Sequence, residues 1–305
     1  MTLHAAERAD PEAGVRAITT QINYLASDYA GVNRRYVSPG ADLNTGRYEP
    51  FTVTVRDGRS IQDHFTLDTH GFVLTAHRSA VEDFFNKTEV DALYVAEALE
   101  AVKAITGADC VAPMGGWMIR TSGDVSKYPR PDGPFLNHGG VQPTAGEAHV
   151  DVFPNRGRRA AQHFYDQHFP GAAPFRRYVI SSFWRCFSPG PQDCPLAVCD
   201  GMSVGDEEGT PNTMIVVDAL PSPQDLLQPI ANEDQMLAAS IFRHNPDHRW
   251  WYFSNMHRDE VLLFKFDDSE RLRPWRVPHT AFFDDSLPGA RTRESIEFRS
   301  VAYYL

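Results

Sequence analysis

Four cysteines in 305 residues (Cys110, Cys186, Cys194 and Cys199) are too few to staple a chain of this size. No two of them stand as C-x-x-C, so a disulfide framework, a zinc knuckle and a thioredoxin-type centre are all excluded. They are read as reduced thiols of a cytoplasmic protein. Positive charge is also in deficit: 29 Lys+Arg face 40 Asp+Glu, a net charge of −11. Phosphate backbones and anionic bilayers are bound by basic faces, so neither nucleic acid nor membrane is expected as a partner. No apolar run approaches the ~18 residues of a membrane span. The opening MTLHAAERADPEAG lacks the basic-then-apolar order of a secretory signal. Nucleotide loops are missing as well: there is no G-x-x-x-x-G-K-[ST], and no G-x-G-x-x-G behind a strand.

What is present is ordinary globular material, 42% hydrophobic and 23% charged. At ~150 residues per domain the length suggests about two units. No linker divides the chain, however, and a single domain over 1–305 is the expectation. Two stretches read as helices, about Val90–Thr106, with apolar residues near helical spacing, and about Arg158–His168. Nearly everything else reads as strand, from FTVTVRD at Phe51 through FRRYVISSFWRCF at Phe175 to SIEFRSVAYYL at Ser295. Aromatic and β-branched runs bounded by Gly, Pro, Asn and Asp are the strand signature. Strands do not alternate with helices, so the fold class is mainly β: a sandwich, a barrel or a jelly roll of the cupin type.

Three constellations could carry chemistry. Gly201-Met-Ser203-Val-Gly205 matches G-x-S-x-G, and Asp218 or Asp267 with His279 would complete a hydrolase order. The elbow needs a helix directly after the serine, whereas DEEGTPN follows soon after; a strand-end turn is the expectation. His244-x-x-x-His248 has zinc-helix spacing, but Pro246 interrupts it and makes it a polar loop. His149-Val150-Asp151 lies in a short strand, where residues i and i+2 share a face. That is two-thirds of a 2-His-1-carboxylate facial triad, the ligand set of non-haem Fe(II) oxygenases. The third ligand should come from a strand far along the chain, on the other side of a barrel. His279, 128 residues after Asp151, fits that requirement. A second H-x-D, His257-Arg258-Asp259, lies only 20 residues before His279 and leaves too little chain to cross a barrel.

Beyond His279, Arg293-Glu294-Ser295 opens the last strand. A guanidinium fork with a nearby hydroxyl suits a carboxylate, such as the far end of 2-oxoglutarate; a surface ion pair of Arg293 with Asp284 or Asp285 is the alternative. Trp184 and Arg185 alternate on one strand, so one of them faces the cavity and contacts substrate or cosubstrate. Trp250, Trp251, Tyr252 and Phe253 are expected to be core.

The chain resembles the asaB-type hydroxylase/desaturase family, which includes gibberellin desaturase-like and cephamycin-methoxylation-like proteins. The resemblance is carried in order by NTGRYEP, DTHGF, AHVD, FWR, PLAVCD, WWYFSNM, FKFDDS, PHTAF and RESIEFR. It implies a double-stranded β-helix, with N-terminal strands and helix (about 1–110) packed on a jelly-roll core (about 111–305). It further implies Fe(II) held by His149, Asp151 and His279, with 2-oxoglutarate gripped by Arg293 and Ser295. Dioxygen would then oxidise a small metabolite by hydroxylation, desaturation or cyclisation. Cys186 stands where the family has proline after WR. Other readings stay open: a cosubstrate-independent iron oxidase, a ligand-binding jelly roll, or a hydrolase using Ser203 and His279. A homodimer is the default for oligomeric state.

Overall fold

The computed structural model describes residues 12, 14–38, 42–128 and 140–305. Its strands form two sheets. The larger has ten, in the order β1 (Ala17–Leu25), β4 (Tyr48–Asp57), β13 (Trp250–Tyr252), β10 (Leu196–Cys199), β15 (His279–Ala281), β8 (His149–Val150), β12 (Ala238–Ile241), β11 (Thr210–Val216), β2 (Arg34–Val37) and β3 (Asp42–Asn44). The smaller has six: β5 (Phe72–Ala76), β14 (Glu260–Asp268), β9 (Arg177–Cys186), β16 (Glu294–Tyr304), β6 (Cys110–Thr121) and β7 (Val141–Pro143). Neighbours in each sheet are mostly far apart in sequence, which is the jelly-roll arrangement expected from many strands and few helices. The N-terminal strands do not form a layer of their own: β1 and β4 widen the large sheet at one edge, β2 and β3 at the other, and β5 borders the small one.

Alternation along the strands builds two cores. Inward residues of both sheets, among them Trp184, Val198, Trp251, Phe264 and Tyr303, fill the space between them. The opposite face of the small sheet presents Val179, Phe183, Val261, Leu263, Ile296 and Phe298. A helical segment covers that face with Val90, Tyr94, Ala98 and Val102. This segment runs Lys87–Glu89, Val90–Tyr94 and Val95–Thr106, the middle piece being a π turn, and ends at Gly107 in the left-handed region. All four aromatics of the 250–253 run are buried. The four cysteines are free thiols, three of them buried.

The second helix, Pro154–His168, begins four residues earlier than its periodicity suggests. Pro154 stands in its first turn, where the missing N–H costs nothing. Its Gly157 packs on Asp267 so closely that a Cβ would lie 1.8 Å from Oδ2. Asp267 cannot easily withdraw, because it is buried and held by Tyr178 Oη at 2.7 Å and Arg271 at 2.8 Å. Alanine is the better helix former, but the collision dominates. Gly157→Ala is expected to destabilise the fold by about 1–3 kcal/mol, as overpacking does. A urea midpoint equal to wild type would contradict this close packing.

Candidate metal and cosubstrate site

His149 on β8 and His279 on β15 are directly paired across the antiparallel ladder. Side chains in such a pair project to the same face, and the two imidazole centroids are 4.3 Å apart. The histidines are thus distant in sequence but adjacent in one sheet, rather than facing each other across the barrel as the sequence suggests. Asp151 follows β8 by one residue, with Oδ1 3.4 Å from His149 Nε2. One ligand atom from each of the three residues lies within 4.8 Å of the others.

The surroundings orient this set. His149 Nδ1 lies 2.8 Å from the Glu147 carbonyl, and His279 Nδ1 is 3.3 Å from that of Val277. Donation at Nδ1 leaves each Nε2 lone pair free, the tautomer that metal-bound histidines adopt. His279 packs on Phe264 and Phe266. Burial, reinforced by the nearby His149, pushes its pKa down to about 3, so it is a neutral imidazole at physiological pH. Burial also opposes charge on His149, but the Asp151 carboxylate outweighs it and raises the pKa. Burial would raise Asp151 too; the charge of Arg299 and the adjacent His149 reverse this and hold it well below the usual carboxylate range. The donors present, two imidazoles and one carboxylate on one face, fit Fe(II) with open positions opposite.

Strand β16 supplies the other wall. Its odd-numbered residues face the site, and Arg293, Ser295, Glu297 and Arg299 therefore form one row. Arg299 binds Asp151 Oδ2 at 2.7 Å and Glu297 at 2.8 Å. Opposite Arg299, β6 bulges between Pro113 and Trp117, with Gly115 at φ 82°. Sequence reading missed Arg299, although it stands three alternations after Arg293 in RESIEFR. Arg120 was also missed; it lines the cavity beside Glu297, its pKa lowered to about 10 by burial.

Arg293 is 2% exposed, and its Nε and Nη1 have no hydrogen-bond partner among the described residues. Its guanidinium carbon sits 5.6 Å from the Trp184 ring centroid. Together with His149, His279, Thr280 and Glu297 these residues line one cavity. Arg293 makes no ion pair with Asp284 or Asp285 among the described residues; Asp284 is 4.0 Å from Arg16. Ser295 is buried on the same face, with its hydroxyl donating to the Arg120 carbonyl at 3.4 Å. A second, adjoining cleft shares His149 and Arg120 and is lined by Met114, Met118, Met214, Ile241, Arg35 and Asn212.

Of the adjacent pair on β9, Trp184 faces the cavity. The expectation that Arg185 contacts substrate is corrected. Strand alternation turns Arg185 to the opposite face of the sheet, where it donates to the carbonyls of His77 and Arg258 and lies over Tyr94 and Phe84. Cys186 is buried beside Ser188.

The other motifs are structural. Ser203 ends a short 3-10 turn, Gly201–Ser203, and extended backbone follows at Val204. Its hydroxyl donates to the Asp200 carbonyl at 2.7 Å and accepts from the Arg249 N–H. No helix supplies an oxyanion amide. Ser203→Ala is therefore expected to keep turnover within about twofold of wild type, as for a substitution that leaves the transition-state contacts in place; loss of turnover beyond that would reopen the hydrolase reading. His244 stacks on Phe51, and His248 bonds Glu208 and Tyr24. His257 is exposed and Asp259 partly so, 3.8 Å apart.

Comparison with known proteins identifies the family and the fold. A family model described as "Oxidoreductase/YMDC permease-like domain" matches residues 22–303. No helix among the described residues is long and apolar enough to cross a membrane. The hydroxylase/desaturase efuI of Hormonema carpetanum is 32% identical over 267 residues, 85% of each chain. Hydroxylase/desaturase CTB9 of Cercospora beticola is 29% identical over 77% of this chain and 71% of its own. An alpha-ketoglutarate-dependent dioxygenase of Talaromyces stipitatus, tstK, is 28% identical over 83% and 84%. The fold is that of the iron and alpha-ketoglutarate-dependent endoperoxidase NvfI, with a TM-score of 0.73, 22% identity, and 94% and 98% of the two chains covered. The chain belongs to the asaB-type hydroxylase/desaturase family of Fe(II)/2-oxoglutarate-dependent dioxygenases, enzymes that act on a small molecule with dioxygen.

Proposed function

We propose that His149, Asp151 and His279 hold Fe(II), that Arg293 grips the far carboxylate of 2-oxoglutarate, and that the chain acts as one catalytic domain on a natural-product skeleton. The observation that carries the reading is the Arg293 guanidinium: a buried cation with two donors unpartnered among the described residues, in the cavity that His279 and His149 also line. Leaving such donors unpaired is costly, and a dicarboxylate whose other end reaches the metal satisfies them. Ser295 stands two residues along the same face and completes the cosubstrate pocket.

Fe(II) with 2-oxoglutarate supplies, from dioxygen, the oxidising equivalent that removes hydrogen from a C–H bond, with succinate and CO2 as coproducts. The protein binds, orients and shields. Arg299 occupies Asp151 Oδ2 and leaves Oδ1 toward the histidines, which restricts the carboxylate to one ligand oxygen. Trp184 walls the cosubstrate cavity. The adjoining cleft combines three methionines, adaptable apolar side chains, with Arg35, Arg120 and Asn212 as polar anchors; it suits an apolar body carrying a few oxygen functions. Relatives named hydroxylase/desaturase support oxidation of a natural-product skeleton as the reading. The four free thiols support a reducing cytoplasmic setting, and the net charge of −11 supports neither a nucleic-acid nor a membrane partner.

The test is anaerobic: Fe(II) followed by 2-oxoglutarate added to the metal-free protein should produce the visible charge-transfer band of a chelated 2-oxo acid. Iron binding without that band would favour the cosubstrate-independent oxidase. Arg299→Ala, which removes only the partner of a ligand, is expected to weaken Fe(II) binding about 10–100-fold, the usual effect of losing an outer-shell contact. An unchanged Fe(II) affinity, measured by competition with a chelator, would remove Arg299 from the centre.

A further inference from the structure

We propose that Glu12, His64 and His70 form a second divalent-cation site, sharing no residue with the His149–Asp151–His279 set. One ligand atom of each lies within 4.8 Å of the other two. His64 Nε2 is 4.0 Å from Glu12 Oε1. The His64 and His70 rings have centroids 4.8 Å apart and are inclined at 61°, so they approach edge to face rather than stacking.

His70 is the fixed member. It is 7% exposed and packs against Phe65 and Phe72. Its N–H donates to the Thr66 carbonyl, its own carbonyl accepts from Gly201, and Gly71 takes φ 86° to close the turn. His70 Nδ1 lies 2.7 Å from Thr69 Oγ1, which in turn lies 2.7 Å from Thr66 Oγ1. With the proton on Nδ1 and both hydroxyls relaying donation, His70 Nε2 is left as an oriented lone pair, as in histidines prepared for a metal. His64, the last residue of the Gly58–His64 turn, and Glu12 are the adjustable members, with side chains 35% and 27% exposed. Donors around a tetrahedral zinc stand about 3.3–3.5 Å apart. His64 and Glu12 must therefore close by about an ångström, which partly exposed side chains do readily. Two imidazoles and a carboxylate, with solvent access for a water as fourth ligand, suit Zn2+ or Co2+. Bound there, the ion bridges Glu12 to the 64–70 turn and, through the His70 carbonyl, to the end of β10.

The experiment uses the full-length metal-free protein titrated anaerobically with Co2+, read by visible absorption and by metal content after gel filtration. Wild type should bind two ions per chain, His64→Ala one, Asp151→Ala one, and the double variant none. In the Asp151→Ala background, Zn2+ should raise the Tm, and His64→Ala should abolish that shift. His64 is partly exposed, so its removal leaves the fold intact; melting without metal checks this. If His64→Ala binds as many ions as wild type, the proposal falls. If wild type binds one ion that His64→Ala loses and Asp151→Ala keeps, the proposal stands and the principal iron site is the one refuted.

Discussion

Asp151→Ala protein is expected to lose stoichiometric Fe(II) and to turn over substrate at least about 10³-fold more slowly, a loss of roughly 4 kcal/mol of transition-state stabilisation. The magnitude follows from where the chemistry sits. No nucleophile or general base of the chain carries the oxidation, so without the metal there is no slower protein-only route. In the proposed set Asp151 would also be the one anionic ligand, and its carboxylate is shared between His149 and Arg299. Removing it leaves Arg299 with Glu297 alone and two neutral imidazoles in place. The readouts are iron content after desalting and the visible band on adding 2-oxoglutarate; both should vanish while the Tm stays close to wild type. Retention of one tightly held iron with the band intact would show that the ligand set has been misassigned.

Arg293→Ala comes next in size. The guanidinium is buried and orphaned, and the anion it would pair with is desolvated in the same cavity. Truncating one partner of such a pair costs ~2–5 kcal/mol, so the KM for 2-oxoglutarate should rise by about 30-fold to several thousand-fold. Because the proposed clamp would hold the cosubstrate remote from the reacting bond, kcat at saturating 2-oxoglutarate should recover most of its value. Arg293→Lys keeps a charge but loses the planar fork over Trp184 and should fall between. A purely structural role would show the opposite pattern: a lower Tm and an unmoved KM.

Much of this centre is legible in the residues. H-x-D in a short strand places an imidazole and a carboxylate on one face, and the alternation of β16 aligns Arg293 with Ser295. Fold class was legible for the same reason: side-chain period and the shortage of helical stretches are local properties. Several strands escaped notice, however. Short pieces such as β2, β3 and β7 have three or four residues and exist only because a neighbour supplies the hydrogen bonds.

By itself the sequence determined the chemistry available, namely two histidines, an aspartate and an arginine in strand-compatible spacing, and the mainly β class. Tertiary structure decided which of these meet. It brought His279 beside His149 through a ladder between strands 130 residues apart, since pairing is a choice among partners that no local pattern encodes. It turned Trp184 inward and Arg185 outward, because alternation sets that neighbours face oppositely but not which face is the cavity. It added Arg299 to Asp151, a contact between two sheets that becomes visible only when their inner faces are brought together.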